Sequence, residues 1–442
     1  MADVRPFHGI RYNSGRSGQL GLNVCPPFDM ITPQLQKELY ERSAYNIVRL
    51  ELSRRGMGDP YASSAETQRQ WLESGILTRD ADPSMYVTEE VFAYRGQSYV
   101  RRGLIAAVRV EEYDRGIVLP HEHTRPEWVN DRVRLMGVAR ANYSPMLVIF
   151  RDSIRSTVSG ILRAVAGGPP TDVAAPPDMH TLHLWRVTDP GTLEVISNAM
   201  AGAQLFIADG HHRYEAALRY RSRVRSEREV APDESINFRM MMLVCVDEPG
   251  LMTLGYHRVI HQATFAELGA LRGALADLCD LTPWVPPAGS EEAGHGGEPP
   301  QGVSPLAPQM FQDALGDRDG DEVVFGLYGF ESGRYHIARM KAPPRAVDDL
   351  DGSEYSRLHS AIFRRALDPQ REDETLMFFP RPERAVDAVE HQGAQMAFIM
   401  RPVPLREFTA IVSRGWRLPP KATNFYPKPP AGTVMQSLEG GL

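Results

Sequence analysis

The chain has 442 residues, of which 42% are hydrophobic and 24% charged, and its formal net charge is −7. This length predicts two or three domains, with enough apolar residues to form sizeable cores. The acidic balance argues against a dedicated nucleic-acid-binding protein, and no apolar run is long enough to span a bilayer.

The compartment follows from the N-terminus and the cysteines. Residues 1–18 carry charges but no apolar h-region, so we expect no secretory signal. The three cysteines are far apart and form no CxxC motif, which argues against a disulfide framework or a zinc knuckle. We therefore expect a cytoplasmic protein without a membrane partner. The sequence leaves a homo-oligomer open.

Several segments carry clear secondary-structure signals. TPQLQKELYERS at 32–43 predicts a helix with Thr32 as N-cap and Pro33 as its first residue. Residues 90–113 hold β-rich runs around a YRGQS turn and predict a hairpin or meander. The apolar run FRMMMLVCV within 238–250 predicts a buried strand.

Two breaks divide the chain. AGGPPTDVAAPPD at 166–178 predicts a connection, and the proline-, glycine- and glutamate-rich 285–308 predicts a flexible linker or loop. We therefore predict an N-terminal α+β region at 1–165, a second region at 179–284 and a C-terminal α+β region at 309–442. Strand and helix signals mix without a regular βαβ array, so we expect an α+β fold with mixed sheets.

The segment LFIADGHHRYEAALRY at 205–220 stands out chemically. Its apolar start predicts a short strand, Asp209 suits an N-cap, and Gly210 permits a tight turn before a helix. A helix N-terminus favours anions, so His211, His212 and Arg213 suggest an anion site there.

Two other interpretations of this segment stay open. Asp209 caps the helix in the first, and the basic side chains are solvated or paired with carboxylates. A metal site is the second, and it is less favoured because adjacent histidines point in different directions and no HxxxH or HExxH spacing is present.

Three acidic residues are further candidates for the site. Glu122 lies between His121 and His123 in a loop that opens with proline, where it is either a general base or simply polar. Asp29 follows two prolines and is either catalytic or a turn residue. Glu51 alternates with Arg49 as on one face of a strand, for which a solvated face is the alternative.

Basic and hydroxyl residues near the C-terminus form another set. PKATNFYPK is bounded by prolines, and its lysines would meet a substrate carboxylate or phosphate, or its aromatic residues would pack a C-terminal tail. A His-Arg pair further upstream is a candidate second anion contact. With Glu51 and His121, the candidate substrate or second anion contacts are His257, Arg258, Lys421, Thr423, Tyr426 and Lys428.

The chain resembles a bacterial and archaeal family known as domain of unknown function 1015. The resemblance runs in order from about Phe7 to Leu438. The matching segments are VCPPFDMI at 24–31, YNIVRLEL at 45–52, LPHEHT at 119–124, ADGHHRYEAAL at 208–218 and RLPPKATNFYPKPPAG at 417–432. Tyr256 and Arg401 depart from it, since threonine and asparagine are usual at these places.

The resemblance implies a fold and a ligand. The family is remotely related to the ParB/sulfiredoxin-like superfamily, whose members include ATP-using sulfiredoxins, CTP-binding ParB proteins and free serine kinases. It implies a ParB/sulfiredoxin-like nucleotide-binding domain, formed by 179–284 together with the N-terminal region, followed by a C-terminal α/β part. The serine kinases carry the Asp-Gly-His-His-Arg turn found at 209–213, which implies that residues 210–213 contact nucleotide phosphates.

The leading hypothesis is therefore a phosphotransferase that uses ATP or ADP with Mg²⁺ and acts on a small hydroxyl metabolite, with free L-serine as the specific substrate. Asp209 would hold Mg²⁺, and Asp209, Glu122 or Asp29 would act on the hydroxyl. A non-catalytic, ParB-like nucleotide-binding switch and a phosphatase-type hydrolase that uses the same anion pocket are the alternatives.

Overall fold

A computed structural model describes residues 1–54, 58–152, 157–286, 306–317, 322–341 and 353–442. It divides into two units, the first comprising Met1–Met252 and Pro427–Leu442 and the second Thr253–Tyr426. Both units combine helices with sheets, so the predicted α+β class is confirmed. Within the described residues, no helix has the length and apolar content that a bilayer span requires.

The predicted region boundaries relate to these units as follows. The breaks at 165 and 179 both fall inside the first unit, and 309 falls inside the second. Most of the predicted linker, 287–305, lies outside the described residues, and a helix begins at Ala307. The proposed four-part division stays a prediction.

The first unit is built on a nine-stranded mixed sheet. Strand Leu205–Asp209 pairs antiparallel with Met146–Phe150, which pairs parallel with Phe238–Cys245. The strands in order are Val118–Leu119, Leu205–Asp209, Met146–Phe150, Phe238–Cys245, Gln97–Arg109, Met85–Tyr94, Thr181–Val187 and Asp172–Ala174, with Val4–Arg5 alongside Gln97–Arg109. A smaller sheet has the order Leu77–Arg79, Gly9–Tyr12, Met435–Ser437 and Ala141–Asn142.

Three strands of this sheet are fully buried, and one of them leads into the turn at 209–213. Every residue of Leu205–Asp209, Met146–Phe150 and Phe238–Cys245 is buried, as a strand covered on both faces requires. The continuous apolar run at 238–245 is therefore a buried strand, as predicted, and Met85–Tyr94 with Gln97–Arg109 forms the predicted hairpin. Asp209 ends one of the buried strands.

The helices of the first unit surround these sheets. Thr32 caps the predicted helix at 33–42 by accepting a hydrogen bond from the Leu35 N–H at 3.2 Å. The α-helices are Ser14–Ser17, Leu20–Asn23, Pro33–Arg42, Val48–Glu51, Pro60–Glu73, Pro126–Ala139, Thr157–Ala166, Pro190–Met200 and His211–Glu227. Single 3₁₀ turns occur at Phe28–Met30, Tyr113–Arg115 and Ser235–Asn237.

The second unit contains a six-stranded antiparallel sheet. Its strands in order are Cys279–Trp284, Tyr335–Met340, Val324–Tyr328, Met396–Ile399, His257–Ile260 and Leu376–Phe379. Its helices include Phe265–Leu278, Ala307–Ala314, Glu354–Leu358, Arg364–Ala366, Glu372–Thr375, Pro382–His391 and Leu405–Ser413, with a π turn at His359–Phe363 and a 3₁₀ turn at Pro369–Arg371. Strand Asn424–Tyr426 pairs with the strand Met252–Leu254.

Candidate functional site

A strand-to-helix turn forms the centre of the site. The buried strand ends at Asp209, and the 17-residue helix begins at His211. Gly210 is the N-cap, with φ +102° and ψ 28°, a left-handed conformation that favours glycine. The prediction that Asp209 is the N-cap was therefore wrong. Asp209 is still in the strand, and its side chain binds other partners.

The Asp209 carboxylate is a buried anchor between two cations. One oxygen accepts a hydrogen bond from Arg213 Nη2 at 2.7 Å, and the other contacts the ammonium group of Lys428. The carboxylate is only 8% exposed, so both contacts are shielded from water. In this arrangement Asp209 neutralises positive charge rather than presenting a free carboxylate oxygen.

Arg213 points into the protein rather than outward from the helix N-terminus. Its Nη1 donates to Ser144 Oγ at 3.0 Å and to the Pro145 carbonyl at 2.8 Å. Burial lowers the pKa of Arg213, while the charges of Asp29 and Glu51 act in the opposite direction. Arg213 thus ties the turn to neighbouring strands, and its direct contact with phosphate stays a prediction.

Lys428 reaches the turn because a buried ion pair holds the residue before it. The Pro427 carbonyl accepts a hydrogen bond from Arg101 Nη2 at 2.6 Å, and Arg101 Nε donates to Glu90 at 2.6 Å. His180 Nε2 lies 2.9 Å from the other Glu90 oxygen. Sequence reasoning identified Lys428 but missed Arg101 and Glu90, since nothing in their local pattern distinguishes them from other strand residues.

The histidines connect the turn to the loop 119–125. His211 Nε2 accepts a hydrogen bond from the His121 backbone N–H at 3.2 Å, and His212 Nε2 accepts one from the Arg125 N–H at 3.1 Å. His121 in turn donates from Nδ1 to the Ile207 carbonyl at 2.8 Å. Two motifs about ninety residues apart are therefore in contact.

These bonds determine which nitrogen of His211 carries a proton. Because Nε2 accepts from a backbone N–H, the neutral ring has its proton on Nδ1. This Nδ1 lies 3.9 Å from Glu122 Oε2, and the Glu122 side chain is 19% exposed. This separation is longer than a hydrogen bond, so His211 lies near Glu122, which retains access to solvent.

His121, Glu122 and His211 also form a group that metal ions could use. Each offers one ligand atom, and the three atoms lie within 4.8 Å of one another. Local spacing did not reveal this group, because Glu122 and His211 come from separate elements. His121 fits a metal ligand, since its Nδ1 donates to a carbonyl as in many metal-bound histidines.

His211 fits a metal less well, because a metal at Nδ1 would displace the proton while Nε2 still accepts a hydrogen bond. Mg²⁺ prefers oxygen ligands, and both oxygens of Asp209 face cations. The residues therefore do not form an oxygen-ligand set for Mg²⁺ in this arrangement, and the role of Asp209 as a Mg²⁺ ligand stays a prediction.

The two other acidic candidates differ in burial. Glu51 ends the helix Val48–Glu51, so its assignment to a strand was wrong. The helix buries its side chain to 3% exposure, where it accepts from Arg132 and Ser144, each at 3.3 Å. Asp29 is exposed in the turn Phe28–Met30, where its charge still acts on Arg213. Through Ser144, Glu51 is linked to Arg213.

The remaining candidates lie in the second unit. His257 is fully buried and accepts from the Met400 N–H at 3.1 Å, and burial, followed by the charge of Arg258, lowers its pKa to about 3. Arg258 donates to the carbonyls of Lys421 and Pro420, each at 3.1 Å. The neutral His257 therefore adds no positive charge to a second anion site.

The positions of the other residues in this unit are also clear. The Lys421 ammonium lies 5.7 Å from the centre of the Tyr256 ring, and Thr423 is 8% exposed. Tyr426 is half-buried in the strand Asn424–Tyr426. The substrate contacts proposed for Lys421, Thr423, Tyr426 and Lys428 stay predictions.

Arg401, where the resemblance leads us to expect asparagine, is a buried structural residue. Its guanidinium binds Glu354 at 2.5 Å and the carbonyls of Asp317 and Glu322 at 3.1 and 3.3 Å. The side chains of Arg401 and Glu354 are 3% and 2% exposed. Arg401 therefore places a paired charge in the interior of the second unit.

Solved structures of low sequence identity resemble the chain. A conserved hypothetical protein from Pyrococcus furiosus has 13% identity and a TM-score of 0.35, covering 76% of this chain and 96% of that chain. Free serine kinase in complex with AMP has 11% identity and a TM-score of 0.34, covering 73% and 86%. SbnI with a C-terminal truncation, from Staphylococcus aureus, has 9% identity and a TM-score of 0.35, covering 73% and 84%.

No curated protein matches the sequence. A family model does match it, over residues 4–358, which include the turn, the loop 119–125, Asp29 and Glu51. The match ends before Lys428, so the lysine that contacts Asp209 lies outside it. With most of its length matched, the chain belongs to the family described as protein of unknown function DUF1015.

Proposed function

We propose that the protein is a nucleotide-dependent phosphotransferase that moves a phosphoryl group from ATP or ADP to a small hydroxyl metabolite, with free L-serine as the substrate to test first. We place this activity in the cytoplasm. The proposal rests on the turn at 209–213 and on its resemblance to the same five residues in free serine kinases.

One observation carries the proposal: at the helix N-terminus at His211, the cations Arg213 and Lys428 lie at the turn and the Glu122 carboxylate lies nearby. The first ladder bond of the helix runs from the Tyr214 N–H to the Gly210 carbonyl at 3.0 Å, so the preceding N–H groups lie ahead of the ladder. Such a terminus attracts phosphate by its N–H groups and its dipole. Lys428 and Arg213 add positive charge next to this terminus, where both bind the Asp209 carboxylate.

The geometry favours Glu122 over Asp209 as the proton acceptor. Asp209 is held between two cations, which stabilises its charge and weakens it as a base. Glu122 is partly exposed, and its Oε2 lies 3.9 Å from His211 Nδ1. Glu122 would take the proton of the substrate hydroxyl as the hydroxyl oxygen attacks the terminal phosphorus of the nucleotide. The bond from this phosphorus to the bridging oxygen breaks, and the nucleotide leaves with one phosphate fewer.

The first experiment measures phosphoryl transfer from ATP and from ADP to L-serine and to a panel of small hydroxyl metabolites. We expect formation of a phosphorylated metabolite with wild-type protein. Glu122→Gln should lower the rate by about 10²–10⁴-fold, since it removes a general base. Glu127→Gln is the matched control, because Glu127 is an exposed glutamate nearby on the helix Pro126–Ala139, and its rate should be unchanged.

The outcomes separate the proposal from its alternatives. Nucleotide binding without transfer to any hydroxyl compound would indicate a binding switch instead. Release of phosphate from phosphoserine in the absence of nucleotide would indicate a hydrolase. A wild-type rate in Glu122→Gln would exclude Glu122 as the base while leaving the transfer activity in place.

A further inference from the structure

Three arginines line a small cavity beneath the turn. The cavity has a volume of about 20 Å³, and its lining includes Arg132, Arg213, Arg239, Glu51 and Ser144. This volume suits one water molecule or one monatomic ion, and it is too small for phosphate. Arg132 and Arg213 bind carboxylates, but Arg239 binds only a backbone carbonyl among the described residues.

Arg239 is buried with almost none of its hydrogen bonds satisfied by the described residues. It lies in the strand Phe238–Cys245 and is 3% exposed. Its guanidinium donates one bond, from Nη2 to the Ser144 carbonyl at 3.0 Å, and its Nε has no partner among the described residues. A guanidinium has five N–H donors, and leaving them unpaired in the interior is costly.

The surrounding charges make the cost larger. Burial lowers the pKa of Arg239 to about 9, and the positive charge of Arg213 acts in the same direction. Glu51 opposes this effect, but its carboxylate already accepts from Arg132 and Ser144. Arg239 therefore has no carboxylate of its own within the part of the chain that the structure describes.

The arginines around the cavity differ in how their charges are paired. Arg132 binds Glu51 and Asp131, and Arg213 binds Asp209, whereas Arg239 binds no carboxylate among the described residues. The lining itself holds these three arginines and a single carboxylate, Glu51. A buried charge without a counterion is strongly unfavourable.

We propose that the cavity beneath the turn binds one monovalent anion of the size of chloride, held mainly by Arg239. The anion supplies the missing negative charge and accepts hydrogen bonds that Arg239 otherwise leaves unmade. A water molecule fits the same volume and accepts hydrogen bonds, but it leaves the charge of Arg239 without a counterion. The site is separate from the phosphate position proposed above, and the inference does not depend on the phosphotransferase activity.

The first test is a crystal of the full-length protein in which bromide replaces chloride. Bromide scatters anomalously, so its peak identifies the anion directly. We expect a bromide peak within hydrogen-bonding distance of Arg239. A light atom with no anomalous signal in the cavity would show that a water occupies it and would overturn the proposal.

The second test compares melting temperatures in solution. Chloride and bromide should raise the melting temperature in a saturable way by roughly 2 °C or more over gluconate at equal ionic strength, because gluconate is too large for the cavity. Arg239→Met should abolish this difference. Arg228→Met is the matched control, because it removes the same charge from a more exposed pair with Glu234. The difference in melting temperature between chloride and gluconate should persist in this variant.

Equal melting temperatures of wild-type protein in chloride and gluconate would contradict the proposal without any variant. If Arg239→Met does not fold, Arg239→Lys serves instead. It keeps the charge but offers three donors rather than five, and it should weaken the anion effect without removing it.

Discussion

The chain contains two His-Arg segments, one in each unit, and the structure uses them differently. At 211–213 the residues follow a strand, and Arg213 binds the Asp209 carboxylate, which also contacts Lys428. At 257–258 they lie within a strand, where His257 is neutral and Arg258 donates to backbone carbonyls. The first segment therefore lies beside a buried carboxylate, and the second bonds to backbone groups.

This difference shows why residue type alone does not identify an anion site. A histidine or arginine contributes to such a site only where its charge is retained and its environment admits the ligand. In the second unit, burial removes the charge of His257, and carbonyl oxygens occupy Arg258. In the first unit, a helix N-terminus and the partly exposed Glu122 lie beside the segment.

The largest expected effect on stability comes from removing the negative charge of Asp209 beside the first segment. Asp209→Asn leaves Arg213 and Lys428 without their shared counter-charge, so the free energy of unfolding should fall by about 3–5 kcal/mol. Denaturant titration measures the change. Asp82→Asn is the control, because the Asp82 side chain is 69% exposed in its pair with Arg186, and its cost should be about 0–1 kcal/mol. Equal costs would show that Asp209 is not an anchor.

The second effect concerns pH and the second segment. His257 has a folded-state pKa of about 3, against about 6.5 when unfolded, so its contribution to stability is complete above pH 6.5. As the pH falls toward 3, the unfolded state binds the extra proton and the contribution is lost, at a cost of about 3 kcal/mol between pH 6.5 and 4. Urea unfolding at both pH values measures it.

His257→Asn tests this assignment, because asparagine retains an acceptor for the Met400 N–H but does not titrate. The variant should lose less stability between the two pH values than the wild type does. His359, whose pKa burial lowers to about 4, should contribute a loss of nearly the same size in both proteins. Identical losses in the two proteins would contradict a neutral, buried His257.

The smallest effect concerns the backbone of the turn. Gly210→Ala places a Cβ at φ +102°, 3.0 Å from the Arg213 guanidinium and from Met146 Cγ, and should cost about 1–3 kcal/mol. Gly269→Ala is the matched control, since Gly269 lies within the helix Phe265–Leu278 with open space around it, and it should stabilise by up to about 1 kcal/mol. Thermal unfolding compares the two, and equal effects would show that the turn is not constrained.

Local patterns predicted several elements correctly. The Thr32-Pro33 start of a helix, the hairpin at 90–113 and the buried strand beginning at 238 were all confirmed. Each depends on signals within a few residues: a capping oxygen, a glycine turn between β-rich runs, or a continuous apolar run. Such signals act before distant parts of the chain meet.

Two local interpretations failed for a common reason. Asp209 has the chemistry of an N-cap and Glu51 alternates with Arg49, but both carboxylates bind arginines from other elements. An ion pair in the interior outweighs a capping bond or a strand preference, because a buried charge must find a partner. The partner of Glu51, Arg132, is 81 residues away.

The sequence by itself determined the family, the strand-turn-helix at 205–227 and the acidic and basic residues that surround it. Only the tertiary structure decided which of them meet: Lys428 with Asp209 across 219 residues, and His211 with His121 across 90. It also decided that Arg239 has no carboxylate partner among the described residues. The physical reason is burial, which makes charge pairing obligatory but leaves no trace in local spacing.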